Sequence, residues 1–204
     1  SEGIIKAYSK VNIPKEKLFL TPNGLDIDAY RFTDKPKYPT RSICIGKIDD
    51  RKKQYFLQAV DSLWFAGNIA DARFNQTKNY LGELPKSKIK TDLTDYGNLV
   101  LISDGEVHPR VCTEALAAGL GVVISECGIA NLDLDKEFIT VIPNDKIDDI
   151  KYIESQIKLN RDFSIDHRHD ILEYARQFDW DNIIEKYYIP SINQIQKQNV
   201  PSTT

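Results

Sequence analysis

The chain has 204 residues, of which 41% are hydrophobic and 28% are charged, an ordinary composition for a globular protein. Its net charge of −3 provides no broad basic surface for nucleic acid, so we expect no nucleic-acid partner. No apolar run approaches the roughly 20 residues of a transmembrane helix, and the first residues do not resemble a signal peptide. These features predict a cytoplasmic globular protein without a transmembrane segment.

Residues 1–40 are predicted to form an interdomain segment and linker. Within them, Pro22-Asn23-Gly24 predicts a turn, because Gly supplies a positive φ and Pro ends the preceding element. Two prolines in the stretch 33–40 indicate a loop. The chain contains no Met and opens in mid-segment, so we expect it to be part of a longer protein.

From residue 41 onward, apolar runs alternate with helical patterns. The runs that predict strands lie at 42–46, 63–67, 79–82, 99–103, 121–125 and 138–142, and the helical patterns lie at 53–61, 85–95 and 109–119. Short, continuously apolar strands between helices predict a parallel sheet that is covered on both faces. We therefore expect a Rossmann-like, three-layer α/β domain over residues 41–178.

The rest of the chain is predicted to be helical. Asp179 is a candidate N-cap for a helix over 180–197, in which Pro190 should introduce a kink, and the whole segment 179–204 forms a helical extension with a polar tail. His167 and His169 stand among alternating charges, which is typical of a solvated helix face without a metal cluster. We therefore expect no metal site.

Three cysteines, Cys44, Cys112 and Cys127, lie in apolar stretches. Such surroundings indicate buried free thiols rather than metal ligands or disulfides.

A basic loop follows the first predicted strand. Segment 46–53 carries four cations within seven positions, namely Lys47, Arg51, Lys52 and Lys53. Gly46 permits a tight turn, and cations at the start of a helix favour a phosphate group. Charge runs are usually solvated, however, so the charge pattern alone favours the alternative, an exposed basic turn that Asp49 and Asp50 partly neutralise.

Two glutamates eight residues apart follow the fourth predicted strand. Glu106 lies in a polar loop and Glu114 on the second turn of the next helix. A carboxylate can accept hydrogen bonds from adjacent hydroxyls of a sugar or ribose. Alternatively, Glu114 pairs with Arg110 on the helix surface, or the two acids are the acid/base pair of a hydrolase. The apolar stripe of the helix runs next to Glu114 and favours a partly buried, ligand-facing carboxylate.

The loop between the glutamates contains two further candidates. Pro109 suits the first turn of a helix, where its missing N–H is no loss, and the N–H groups of His108, Arg110 and Val111 would then face the pocket. His108 could act as a general base, although a loop histidine is more often a hydrogen-bonding surface residue.

Taken in chain order, these segments resemble the C-terminal, donor-binding domain of retaining GT-B glycosyltransferases of the group 1 family. The two-glutamate motif is complete over residues 103–119. Four other family motifs have counterparts in this chain. They are the interdomain Pro-Asn-Gly-x-Asp at 22–26, the phosphate loop at 46–53, the Leu-Gly strand end at 80–84 and the Val-Val-x-Ser strand at 121–125. The late Phe-Ser-Trp signature is similar to Phe178-Asp179-Trp180. One half of a GT-B fold is thereby implied.

The resemblance also implies an activity and a site. It implies a hexosyltransferase that uses a UDP- or GDP-sugar donor and no further cofactor, with Glu106, Lys52 and Lys47 as catalytic residues. Glu114 would bind the ribose. The other donor-binding residues would be Gly46, Lys47, Arg51 and Lys52 at the diphosphate, Glu106, Val107, His108, Pro109, Arg110 and Val111 at the sugar, and Gly82, Glu83 and Leu84 at the base.

Some positions depart from the family pattern. Lys47 stands where Arg is usual, which removes the planar two-point contact with phosphate, and Lys53 replaces a Gly. Family members also have an N-terminal domain that binds the acceptor, a glycan, lipid or protein, so we expect this chain to bind nucleotide-sugar but to be inactive alone. The alternatives are a non-catalytic nucleotide- or sugar-binding module and half of a nucleotide-sugar epimerase.

Overall fold

The structure is a computed structural model that describes residues 8, 10, 13–14, 17–106, 109–129 and 131–198. The strands in this part of the chain are β1 (Tyr38–Ile45), β2 (Leu63–Ala66), β3 (Tyr96–Leu101), β4 (Gly121–Ser125) and β5 (Ile139–Ile142). They form one sheet in the order β2-β1-β3-β4-β5, and every neighbouring pair is parallel. The predicted Rossmann-like α/β class is therefore confirmed.

Helices connect these strands and extend beyond them. The α-helices are α1 (Gln54–Leu57), α2 (Lys86–Asp92), α3 (Arg110–Ala117), α4 (Ile150–Asp166), α5 (Arg168–Ala175), α6 (Trp180–Ile183) and α7 (Ile189–Gln198). A π-helix, Ile184–Tyr188, joins α6 to α7. Short 3-10 helices lie at Ile27–Ala29, Asp50–Lys52, Leu93–Asp95, Glu126–Gly128, Asn144–Lys146 and Arg176–Phe178.

The sheet has a hydrophobic core on each face. Successive residues of a strand point to opposite faces, so Leu99 and Leu101 of β3 join one core while Val100 joins the other. Helix α3 contributes residues such as Leu116 to the first core, and α4 contributes Ile157 to the second. Because both faces are covered, the strands read as continuous apolar runs rather than as alternating ones.

One predicted strand does not join the sheet as a strand. In the range 79–82, Tyr80 forms an isolated bridge to Phe65 of β2. The chain then turns away at Gly82, whose φ is +78°. The apolar pattern was correct for a segment beside β2, but one bridge is too short to count as a strand.

Strand and helix starts also differ from the prediction. Strand β1 begins at Tyr38 rather than at 42, and its register against β3 shifts between Tyr38 and Ser42, next to the ring of Pro39. Strand β3 begins at Tyr96, before the predicted 99, because Tyr96 and Asn98 already pair with Tyr38 and Ser42 of β1. The helix predicted over 53–61 is shorter than expected and consists of α1 (Gln54–Leu57).

The long C-terminal helix is interrupted where Pro190 predicted a kink. The Asp179 carboxylate accepts a hydrogen bond from the Asp181 N–H at 3.1 Å, so the predicted N-cap is confirmed. Pro190 lacks an N–H and its ring excludes the carbonyl four residues earlier. The π-helix Ile184–Tyr188 lies directly before this position and widens the turn, as π-bulges do in interrupted helices.

Two motifs from opposite ends of the sequence meet in the fold. The Leu25 N–H donates to the Phe178 carbonyl at 2.8 Å, and the Trp180 N–H donates back to the Leu25 carbonyl at 3.2 Å. A Cβ on Gly24 would lie 2.4 Å from the Trp180 ring. Gly24 is therefore required for this close approach, which links the segment before β1 to α6.

The segment predicted as a solvated helix face contains a buried arginine. Arg168 is 2% exposed, and its guanidinium donates to the carbonyl oxygens of Thr33, Thr94, Tyr96 and Ala118. Burial lowers the pKa of Arg168 to about 10. The prediction was wrong here because flanking charges conceal which side chain the tertiary fold covers.

Candidate functional site

Two adjoining clefts lie at the carboxyl ends of β1 and β3 and share Ile45 and Gly46. The first, here called the acidic cleft, has a volume of about 300 Å³ and is lined by Ile45, Gly46, Lys52, Leu101, Glu106, Pro109, Arg110, Val111 and Glu114. The second, the turn cleft, has a volume of about 260 Å³ and is lined by Ile45, Gly46, Lys47, Ala66, Gly67, Asn68, Glu83, Leu84 and Ile89. This is the edge at which parallel α/β sheets bind ligands.

Gly46 and Lys52 form the boundary between the clefts. Gly46 has a φ of +146°, and a Cβ built on it would lie 2.7 Å from the Lys52 Nζ. The Lys52 side chain is only 14% exposed. The absence of a side chain at Gly46 therefore lets the Lys52 ammonium lie directly over the backbone turn, where it faces the acidic cleft.

The basic loop is bonded to the loop after β3. The Asp104 N–H donates to the Arg51 carbonyl at 2.9 Å, and the Arg51 guanidinium donates to the Gly105 carbonyl. The Lys53 Nζ lies 3.5 Å from Asp104 and 3.0 Å from Asp148. Lys52 and Lys53 are thus mostly covered, whereas Lys47 and Arg51 are exposed, so the alternative of a solvated basic turn describes only part of this loop.

The acidic residues of the loop do not neutralise its cations as that alternative required. The Asp49 carboxylate accepts a hydrogen bond from the Lys52 backbone N–H at 3.2 Å and caps the 3-10 helix Asp50–Lys52. The Asp50 carboxylate pairs with Arg73 instead.

Gln54 fixes the shape of the basic loop, and the sequence did not single it out. It is 1% exposed, its amide donates to the Lys47 carbonyl at 3.0 Å, and its amide oxygen accepts from the Asp49 N–H at 3.2 Å. A buried side chain with both ends bonded to one turn restricts that turn. The only sequence signal was a polar residue at the start of an apolar helical pattern.

Lys53 occupies a conformation that favours glycine. Its φ is +50°, in the left-handed region that costs a non-Gly residue roughly 1–2 kcal/mol. Partial burial lowers the pKa of Lys53, but the hydrogen bond and charges of Asp148 and Asp104 outweigh it and hold the pKa above its usual value. A glycine would adopt this backbone conformation without that cost, and here two carboxylates hold a lysine in it.

Glu106 lies close to two cations yet retains an unused acceptor. Its Oε1 is 3.3 Å from the Arg51 Nη1 and 3.8 Å from the Lys52 Nζ. This atom is buried and accepts no hydrogen bond from the described part of the chain. Buried carboxylate oxygens are normally hydrogen-bonded, so Glu106 can accept a bond from a ligand hydroxyl.

Glu114 is buried on α3 and pairs with a residue outside its own helix. It is 5% exposed, and its Oε1 accepts a hydrogen bond from the Lys86 Nζ at the start of α2. Partial burial lowers the pKa of Lys86, but the bond to Glu114 and the charge of Glu114 raise it above its usual value. The alternative surface pair with Arg110 is therefore wrong, and Lys86, which lies 28 residues away in sequence, was missed.

Glycines shape the turn cleft. A Cβ on Gly67 would lie 1.9 Å from the Gly46 carbonyl oxygen, and the Gly67 N–H donates to the Gly82 carbonyl at 2.9 Å. Three chain segments therefore approach each other closely, and the exposed Glu83 with Leu84 forms the outer wall.

Most predicted site residues come together at these clefts. The acidic cleft gathers Gly46, Lys52, Glu106, Pro109, Arg110, Val111 and Glu114, and the turn cleft gathers Gly46, Lys47, Glu83 and Leu84. Arg51 and Gly82 line neither cleft, but each is hydrogen-bonded to a neighbouring loop, Arg51 to Gly105 and Gly82 to Gly67. Val107 and His108 lie outside the described residues.

A larger groove of about 810 Å³ lies elsewhere, lined by residues such as Leu20, Arg176 and Tyr187, and it contains none of the predicted site residues. Within the described ranges, no group of three potential metal-binding side chains occurs. No described helix is long and apolar enough to cross a bilayer.

No protein-family model and no curated protein sequence matches the chain. Solved structures do match its fold. The lipopolysaccharide outer core galactosyltransferase WaaB matches with 13% sequence identity and a TM-score of 0.70. Anabaena HepE in complex with UDP-glucose matches with 15% sequence identity and a TM-score of 0.71. Both matches cover 97% of this chain, and 60% and 62% of those chains. The pneumococcal O-GlcNAc transferase GtfA, in complex with UDP and GlcNAc, has 16% identity and a TM-score of 0.60 over 84% of this chain and 38% of its own.

The chain thus spans about three fifths of the length of the first of these structures. Identities this low show the fold alone. At the level of the fold the resemblance to GT-B glycosyltransferases is confirmed, because the chain has the fold of part of these enzymes.

Proposed function

We propose that this chain is the nucleotide-sugar-binding part of a retaining glycosyltransferase, which moves a hexose from a UDP- or GDP-sugar to an acceptor hydroxyl. One observation carries the proposal. The ammonium of Lys52 and the carboxylates of Glu106 and Glu114 converge on one cleft over Gly46. A cation for phosphate and two carboxylates for hydroxyls are the groups that a sugar nucleotide needs.

The two clefts suggest how a donor would be held. The diphosphate would lie over Gly46 against Lys52 and Lys47, with the base in the turn cleft beside Glu83 and Leu84. Glu114 would accept bonds from ribose hydroxyls, and the free oxygen of Glu106 would accept one from the sugar. The fold match to HepE in complex with UDP-glucose is consistent with such a ligand.

The chemical contribution of these residues would be electrostatic. As the bond from the anomeric carbon to the phosphate oxygen breaks, negative charge grows on the diphosphate. The acceptor hydroxyl oxygen bonds to the anomeric carbon, and its proton passes to the leaving diphosphate oxygen. Lys52, preorganised over Gly46, would stabilise this charge, and such contributions are usually large. Each glutamate is already paired with a cation, Glu106 with Arg51 and Glu114 with Lys86, an arrangement suited to ligand binding, so a hydrolase pair is not proposed.

An acceptor and a second domain belong to the same proposal. The matched glycosyltransferases are longer than this chain, which spans about three fifths of the first of them. We infer that a further domain, in the same protein, binds the acceptor glycan, lipid or protein, and that this chain alone binds donor without transferring sugar.

The proposal predicts that Lys52→Met weakens binding of the preferred nucleotide diphosphate at least tenfold, because a partly buried cation at the phosphate is lost. Thermal shift and calorimetry with UDP, GDP and ADP would measure this. Lys88→Met is the matched control, since Lys88 is exposed on α2 and lines neither cleft.

Two results would contradict it. In one, none of the three nucleotides raises the melting temperature of the wild-type chain. In the other, a nucleotide binds Lys52→Met as tightly as wild type, which would favour a binding module whose basic loop does not hold phosphate.

A further inference from the structure

Beside the acidic cleft, three polar side chains from distant parts of the chain form a cluster. Glu114 is buried on α3, Lys86 donates to its Oε1 from the start of α2, and Tyr30 lies just after the 3-10 helix Ile27–Ala29. The Lys86 Nζ is 5.9 Å from the centroid of the Tyr30 ring. None of the sequence motifs predicted a role for Lys86 or Tyr30.

The cluster has unused hydrogen-bonding capacity. An ammonium has three donors, and Lys86 uses one of them on Glu114. The Glu114 carboxylate lines the cleft, and a carboxylate has about four acceptor positions. The Tyr30 hydroxyl is buried and makes no well-formed hydrogen bond within the described part of the chain, and the neighbouring polar group is the Lys86 ammonium. Tyr30 therefore helps to hold Lys86 beside Glu114.

A hydroxyl group needs both kinds of partner at once, because it donates one hydrogen bond and accepts others. A carboxylate alone can only accept the hydrogen bonds that a diol donates. A carboxylate that is paired with an ammonium is accompanied by a donor, whose hydrogen bonds the diol oxygens can accept. Lys86 also fixes one carboxylate oxygen, which leaves the remaining acceptor positions of Glu114 in a set orientation toward the cleft.

We propose that Lys86 and Glu114 together bind the ribose diol of the nucleotide, whose hydroxyls donate to the Glu114 carboxylate while at least one accepts from the Lys86 ammonium. This inference rests on the proposed function and adds a specificity-determining residue to it. Lys86 thereby distinguishes a ribonucleotide from a 2′-deoxyribonucleotide. If Lys86 instead blocked Glu114 and had to be displaced by the ligand, replacing Lys86 would tighten the binding of ribonucleotides.

The test compares ribose and 2′-deoxyribose diphosphates by calorimetry. UDP, GDP and ADP are titrated first, and the best of them is then compared with its 2′-deoxy form. The variants are Lys86→Met, Lys86→Arg, which keeps the charge and the donors, and Lys88→Met as the control on the same helix. Melting temperatures show whether each variant is folded.

We expect the wild-type chain to prefer the ribonucleotide about tenfold or more, a typical effect of a charge-assisted hydrogen bond. Lys86→Met should reduce that preference about threefold or more, chiefly by weakening ribonucleotide binding, while the bond to Glu114 keeps the remainder. Lys86→Arg and Lys88→Met should retain the full preference. Equal losses for both nucleotides, or tighter ribonucleotide binding by Lys86→Met, would overturn the role of Lys86 while leaving the proposed function intact. A wild-type chain that binds no nucleotide would overturn both.

Discussion

Arg168 shows how a single side chain can join separate parts of the fold. Its guanidinium contacts the segment before β1 at Thr33, the start of β3 at Thr94 and Tyr96, and the end of α3 at Ala118. The carbonyls at the end of a helix carry partial negative charge, so Ala118 is a favourable partner for a buried cation.

Replacing this residue should therefore be costly. Arg168→Met removes the donors and leaves several buried carbonyls unpaired, so we expect the free energy of unfolding to fall by about 3 kcal/mol or more. Urea unfolding would measure it. Arg176→Met is the control, because the Arg176 side chain is half exposed and should change stability by less than about 0.5 kcal/mol. Equal stabilities of the two variants would contradict the role of Arg168.

Individual residues also mark what the sequence could and could not predict. Glu106, Glu114 and Lys52 were identified because local order and spacing determine which strand end they follow. Lys86 and Gln54 were not, since the first meets Glu114 only through the packing of α2 against the sheet, and the second is recognised by burial. The same limit applies to Arg168, whose sequence neighbours are charged.

At the scale of elements, the central strands bury ionisable groups. Cys44 of β1 is 2% exposed, and burial raises its pKa from 9.0 to about 12. Tyr96 at the start of β3 is 7% exposed, and burial together with the charge of Tyr38 raises its pKa from 10.0 to about 12. Both strands lie in the middle of the sheet, where burial disfavours the charged form of each group.

Stability should consequently fall at alkaline pH. Above about pH 9 the unfolded chain releases the Cys44 proton while the folded chain keeps it, so the unfolded state gains favourable free energy until about pH 12. Each such group contributes a slope of about 1.4 kcal/mol per pH unit. Urea unfolding at several values from pH 8 to 11 should show the decline, and Cys44→Ala should have a shallower one. A slope unchanged by this substitution would be contrary to the prediction.

The elements themselves were largely predictable. Apolar runs at 63–67 and 121–125 correspond to β2 and β4, because buried parallel strands need apolar residues on both faces. The range 79–82 also contains apolar residues, but the chain turns at Gly82 after one bridge. A sequence pattern does not reveal whether a neighbouring strand is available for pairing.

At the scale of the whole molecule, the basic loop after β1 and the loop after β3 form one bonded unit. The contacts of Arg51, Lys52 and Lys53 with Asp104, Gly105 and Glu106 hold this unit together. Loops that are bonded to each other in this way lose less conformational entropy when they bind a ligand, which favours affinity. The fold places these loops at the sheet edge used by α/β proteins for ligands, and the glycosyltransferase function follows as a proposal from that placement.

The most direct test of this central proposal is a crystal structure of the chain with its preferred nucleotide diphosphate. We predict the diphosphate within hydrogen-bonding distance of the Lys52 Nζ over Gly46, and the ribose hydroxyls within that distance of the Glu114 carboxylate. A nucleotide bound elsewhere, such as in the groove near Arg176, with both clefts empty, would contradict it.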